Sequence, residues 1–323
     1  MSWSTSSSTC STGCSIRGSG WEGEIATLTR PRPSPGLVVQ PRRRSPLAAV
    51  LPRSLRRSAV VVAALAVVVL WLLVGLVAPL IAPFPPLEQD VMTRLAAPSG
   101  EHWMGTDPLG RDILSRILYG ARLSIPVGLA AVILALALGT LLGSLAGFLG
   151  GRIDEVVMRA TDLTLAFPTV ILAMVITAAL GAGVRNAVIA IMIAWWPTYA
   201  RVVRGLVLAT RNREFVLAAN SLGATRPRIF LHHILPSTVS PLIVLGTLDI
   251  GHAILTFASL SFLGLGPPPD QPEWGSMIAT GRSYFDHWWI GAFPGLAILS
   301  VVLAFNILGD GLRDLFDPRD RSR

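Results

Sequence analysis

The side chains able to do chemistry in this chain are few. In LGTLDIGHAILTF an aspartate and a histidine, Asp249 and His252, stand three apart inside an otherwise apolar run. That spacing puts both on one face of a helix. Ionisable groups at membrane depth are costly and face a cavity or a partner helix. Asp249 and His252 therefore either line a translocation path or contact a sister subunit, or they satisfy each other as a pair that only fixes packing. The neighbours His232 and His233 invite a metal, but adjacent helical residues do not face the same way. No carboxylate or thiol stands beside them to complete a ligand set, so they read as structural or docking residues, and no metal site is assigned. Cys10 and Cys14 lie in the opening MSWSTSSSTCSTGCS without a second pair. They read as incidental thiols in a polar tract that buries no core.

Arginine supplies every basic side chain, and lysine is absent. A P-loop needs its lysine on the nucleotide phosphates, and a Schiff-base enzyme needs a lysine amine. The chain can host neither. H-E-x-x-H and G-x-S-x-G are also missing. No catalytic residues are assigned and no cofactor is expected on this chain. If ATP drives its work, ATP-Mg binds to another subunit.

The elements that must position these residues are apolar. Of 323 residues, 52% are hydrophobic and 14% charged, against about 25% charged in ordinary soluble domains. Six membrane spans are expected, at 59–82, 124–149, 163–180, 187–205, 237–265 and 291–309. Prolines in and beside the third and fourth are compatible with spans, because neighbouring groups re-satisfy the backbone. The net charge of +8 sits at the ends of the apolar runs rather than along one face, which argues against nucleic acid. With the N-terminus cytoplasmic, the cytoplasmic connections carry 18 arginines and the opposite ones 6, which obeys the positive-inside rule. The fold class is all-α, a multi-pass protein of the cytoplasmic membrane with both termini cytoplasmic.

Several local patterns refine this. Ala131, Ala135, Gly139, Gly143 and Gly147 recur every four residues, a helix-packing seam where small side chains let another backbone approach. Before that span, Ile113, Leu114, Ile117, Leu118 and Ala121 form an apolar face opposite Arg111, Asp112, Ser115, Arg116 and Arg122. This predicts an amphipathic helix on the membrane or against the bundle. Gly105, Asp107, Pro108 and Gly110 read as turn residues. His287, Trp288 and Trp289 read as interfacial anchors.

The stretch EFVLAANSLGATRPRIFLHHILP lies between two apolar runs on the cytoplasmic side. Phe215, Ala218, Ala219 and Leu222 make one apolar face of a short helix. Gly223 can end it in a left-handed conformation. Thr225 can cap a second helix that tolerates Pro227 in its first turn, and Pro236 marks the turn back into the membrane. Such a helix–turn–helix suits insertion into a cleft on a partner.

This stretch resembles the coupling (EAA) loop of permease subunits of binding-protein-dependent ABC importers. Ala218, Ala219, Gly223, Leu235 and Pro236 match its pattern, while Leu217 stands where the pattern has glutamate and Glu214 lies one helical turn earlier. Arg226 falls within the same loop. HWMGTDPLGRDILSRILYGARLSIPVG, ASLSFLGLGPPPDQPEWGSMIATGR and FPGLAILSVVLAFNILGDGLRDLFDPR are similar to the C-type subunit of the dipeptide, oligopeptide and nickel group. Phe257 departs from it where an acidic residue is usual. The resemblance covers about residues 59–319. It implies a type I permease fold, with loop 206–236 docking on the ATPase. It also implies a partner set of a second homologous permease, two P-loop ATPases and an extracytoplasmic binding protein, with the solute path between the two permeases.

The expected organisation is a disordered cytoplasmic tail over 1–57, then a first span with an extracytoplasmic amphipathic segment over 58–123. A five-span core over 124–310 and a cytoplasmic tail over 311–323 follow. The expected work is import of peptides or similar small solutes, nickel among them. The rival readings are a carrier or channel driven by an ion gradient, which would show internal repeats and more mid-span charge, and a scaffold without transport.

Overall fold

The computed structural model describes residues 53–268 and 270–316. The expected tail over 1–57 lies outside these residues up to position 52, and positions 53–57 already belong to the first helix. Ten helices follow: α1 (Arg53–Ile81), α2 (Ile113–Leu149), α3 (Gly151–Leu165), α4 (Thr169–Leu180), α5 (Val184–Arg211), α6 (Glu214–Ser221), α7 (Arg226–Ile229), α8 (Leu235–Phe262), α9 (Trp274–Arg282) and α10 (Trp289–Phe316). Apart from the bridge between Thr106 and Asp112, the described residues hold no β-structure. The last helix continues through 311–316, the described part of the stretch expected as the C-terminal tail. Gly311 sits against Val61 of α1.

Among the described residues, five helices are long and apolar enough to cross a membrane. The expected third span is the exception. α3 and α4 meet at Phe167 and Pro168 with a bend of 92°, because Pro168 has no N–H to continue a helix. α4 has 12 residues, roughly 18 Å of rise, short of the ~30 Å hydrocarbon layer.

The seam explains why the bent pair must still carry the chain back. Ala131 and Ala135 are fully buried. A Cβ on Gly139 would strike Trp196, Tyr199 and Ala200, one on Gly143 would strike Ala200, and one on Gly147 would press on Arg204 and Val207. Residue numbers rise together along both helices, so α2 and α5 run parallel. Their C-termini share one end of the bundle, called here the loop end. α3 and α4 must return the chain to the opposite, cap end before α5 can start.

At the cap end α2 differs from the expected arrangement. Residues 113–122 are not a separate amphipathic helix; they are the first turns of a helix of 37 residues. Their polar face is buried as well, except for Arg122, which stays exposed. Arg111 donates to Asp107 through Nε at 2.6 Å. Arg116 donates to the Pro86 carbonyl at 3.3 Å, and Asp112 accepts the Ser115 amide at 2.7 Å as N-cap of α2. His102 Nδ1 lies 3.0 Å from Asp112 Oδ1. The loop over 83–112 folds onto this face and satisfies it, which offsets the cost of burying charge. Trp289 belongs to the same cap. It is buried and donates from Nε1 to the Thr106 carbonyl at 3.3 Å, so only its neighbour Trp288 is exposed as an interfacial anchor would be.

α9 closes the cap end. Trp274 is fully buried, donates to the Ile117 carbonyl at 3.0 Å and meets Trp71 of α1 edge-on at 5.1 Å. α1 is tied to α10 by the Trp71 indole, which donates to Ser300 Oγ at 3.0 Å.

Candidate functional site

Two places carry the polar and exposed residues singled out above. The first is the loop at the loop end. α6 starts at Glu214, and Gly223 follows it at φ +80°, the left-handed region that glycine enters without steric cost. The Gly223 amide donates to Asn220 and the Ala224 amide to Ala219, closing the helix end. Thr225 is extended at the start of α7, and its side chain makes no capping bond.

The packing face of α6 differs from the expected one. Val216 is buried and Ala219 half-buried, against Ile229, Ile234, Val203 and Val207. Phe215, Leu217 and Leu222 stay exposed, Leu222 at 88%. The 3.6-residue period allowed two neighbouring apolar stripes, and tertiary contact uses the one through Val216. Glu214, Ala218 and Arg226 are exposed as well.

Pro236 does not turn the chain. Residues 226–262 form one continuous helical course, in which Phe230–Ile234 make a single π turn just before α8. The Leu235 amide reaches back to the Phe230 carbonyl. A wide turn gives room to the Pro236 ring, which would clash with the carbonyl four residues earlier in a regular helix. His233 faces Phe215 at a ring distance of 6.2 Å, while His232 is exposed.

The second place is mid-span. A cavity of about 480 Å³ opens between α4, α5 and α8, and Asp249 and His252 line it. They do not bond to each other. Tyr199 of α5 donates its hydroxyl to Asp249 Oδ2 at 2.7 Å, and His252 is exposed one turn further on. Tyr199 is the partner that local spacing could not supply, since it lies 50 residues away. The polar side of the pocket is completed by Thr169, Thr198 and Ser259. Phe257 is fully buried in the apolar cluster with Val127, Ala131 and Ile191.

A third polar group went unnoticed in the sequence. Glu273 is fully buried and caps α9 by accepting the Gly275 and Ser276 amides at 2.9 and 2.8 Å. Ser124 Oγ of α2 adds a bond at 3.3 Å. Burial pushes its carboxyl above the ordinary glutamate value, while the two amides pull it down.

A bundle with a protruding, apolar helix–glycine–helix loop at one end and a polar mid-span pocket is the architecture of a transport subunit. Residues 139–322 match the family model for the binding-protein-dependent transport system inner membrane component. The chain belongs to that family. Residues 47–98 match the N-terminal transmembrane domain of oligopeptide transport permease C. The dipeptide transport system permease protein of Alkalihalophilus pseudofirmus is 45% identical over 271 residues, 84% of this chain and 89% of that relative. The probable D,D-dipeptide transport system permease protein of Escherichia coli K12 is 44% identical over 266 residues, 82% and 89% of the two chains. The nickel transport system permease protein of the same strain is 44% identical over 256 residues, 79% and 92%. This family member is thus a membrane-spanning permease subunit of an ABC importer, and the gradient-driven carrier reading falls away.

Proposed function

We propose that this permease imports peptides, working with a second homologous permease, two P-loop ATPases that bind ATP-Mg and an extracytoplasmic binding protein. The loop 206–236 is assigned to the ATPase, and both termini to the cytoplasm. The observation that carries the loop assignment is Leu222, 88% exposed at the tip of a loop whose opposite stripe is anchored in the bundle. An apolar side chain held out in this way fits a cleft on a partner. The charged contact made by glutamate in the family pattern is assigned to Glu214, since Leu217 at that position offers none. The peptide assignment rests on relatives whose names specify dipeptides. The mid-span pocket is assigned to the solute path, because an aspartate and several hydroxyls line an open cavity among otherwise apolar helices.

The test is purification of the tagged complex in mild detergent, followed by mass spectrometry and ATPase assay. The parent chain is expected to bring down a P-loop ATPase and a second permease. Leu222→Arg and Gly223→Asp are expected to lose the ATPase while keeping the sister permease. Glu214→Gln is expected to weaken ATPase retention. Retention of the ATPase by all three variants would overturn the loop assignment.

A further inference from the structure

The mid-span pocket is chemically lopsided. Its one acidic group, Asp249, has Oδ2 held by the Tyr199 hydroxyl at 2.7 Å, whereas Oδ1 takes no hydrogen bond among the described residues. No arginine lines the cavity. The carboxylate is thus fixed in direction but its charge is not matched. A carboxylate at membrane depth is expensive unless a cation meets it.

The surroundings supply what a small cation needs. Trp195 brings aromatic surface, which attracts ammonium groups, while the buried Tyr199 holds Asp249 through its hydroxyl. Thr198 and Ser259 bring hydroxyl oxygens that can accept from N–H. His252 stands exposed on the same wall and can accept through a ring nitrogen when neutral. A divalent metal would find one carboxylate and one imidazole only, too few ligands for an all-protein site. The volume of about 480 Å³ falls within the range of small-molecule pockets, roughly 300–1,000 Å³.

We propose that this pocket receives the protonated amino group of the transported solute, with Asp249 as its counter-charge and Tyr199 as the positioning residue. This rests on reading the pocket as part of the solute path. The binding protein can then select the solute without this chain, while the permease favours those that carry a free amine. A charge-assisted hydrogen bond between ammonium and carboxylate is the strong kind, and its loss is expected to read as about a tenfold change, the equivalent of about 1.4 kcal/mol.

The experiment uses the full complex in proteoliposomes, with Cys10 and Cys14 changed to serine and Leu255→Cys as the reporter. Leu255 lines the pocket and is 48% exposed. The labelling rate by a water-soluble maleimide is measured with and without ATP, in the presence of ethylammonium, acetamide or Ni²⁺. Ethylammonium is expected to slow labelling about tenfold more than acetamide, and Asp249→Asn is expected to abolish that difference. Tyr199→Phe keeps the ring and the packing, and is expected to reduce the difference. Equal protection by ethylammonium and acetamide would overturn the amine inference and leave the path reading standing. Protection by Ni²⁺ alone would overturn it in favour of metal. A cysteine that never reacts, in any nucleotide state, would overturn both, since the pocket would then be sealed against the sister permease.

Discussion

Arg204 of α5 forks onto Asp154 of α3, with Nη2 2.6 Å from Oδ2 and Nε on Oδ1. One turn earlier, Arg201 reaches Asp162 of the same helix at 2.6 Å. α3 buries only Thr161, so apolar packing holds it weakly. The two ion pairs tie it to α5 towards both of its ends, the Asp154–Arg204 fork mostly shielded and the Asp162–Arg201 pair exposed.

The Asp154–Arg204 pair is bidentate and mostly shielded, with side-chain exposures of 22% and 32%. A double-mutant cycle with Asp154→Asn and Arg204→Gln, read by denaturant titration in mixed micelles, is expected to give a coupling of about 1 kcal/mol, the upper end for such pairs. The same cycle on Glu155–Arg159, exposed at 60% and 76%, is expected to give nothing measurable. Equal coupling in both cycles would remove the special role of the fork.

The seam offers a second test. A side chain at Gly143 would run into the Ala200 backbone, whereas Gly205 on the facing helix α5 has nothing within 4 Å. Gly143→Leu is expected to destabilise the chain by about 1–3 kcal/mol, the range for overpacking, and to lower its yield in the membrane. Gly205→Ala is expected to be neutral or slightly stabilising, since alanine is the better helix former. Thermal midpoints of the purified variants distinguish the two. A neutral Gly143→Leu would mean that α2 and α5 are free to separate.

Gly223 separates backbone strain from contact. Its φ of +80° disfavours other residues, yet no atom stands where a Cβ would go. Gly223→Asn is expected to keep ATP hydrolysis coupled to transport, because asparagine visits the left-handed region. Gly223→Val, at a cost of about 1–2 kcal/mol, is expected to distort the loop and uncouple the two. Identical transport-to-hydrolysis ratios for both variants would show that the turn does not shape the loop.

How much of this was legible depended on whether the information was local. α1, α2, α5, α8 and α10 follow from long apolar runs. Family membership was visible in motifs that are continuous in sequence. The bend at Pro168 was not, because averaging apolarity over 163–180 measures composition and carries no direction. The polar face of α2 reads the same whether water or a folded loop covers it. The partners of Arg116 come from Pro86 and Asp107, in a segment without periodicity. Asp249 was singled out as costly, but its partner Tyr199 lies on another helix and no spacing rule reaches it. For α6 the periodicity named a stripe one position away from the one that Val216 buries.

Glu273 gives the pH-dependent prediction. Its carboxyl is held above the ordinary glutamate value, near 4.5, chiefly by burial, so the folded chain binds a proton that the unfolded chain releases more readily. Stability from this group is fully present below the ordinary value and is lost as pH rises through the folded one. The parent is therefore expected to lose thermal stability through this group as pH rises above the ordinary glutamate value. Glu273→Gln stays neutral and can still accept one amide bond, so it is expected to start lower at acid pH and to close the gap as pH rises. The measurement is the difference in thermal midpoint between variant and parent at several pH values, which cancels groups common to both. A difference that stays constant with pH would mean that Glu273 is ionised in the folded chain throughout, held by its two amides against the burial of its charge.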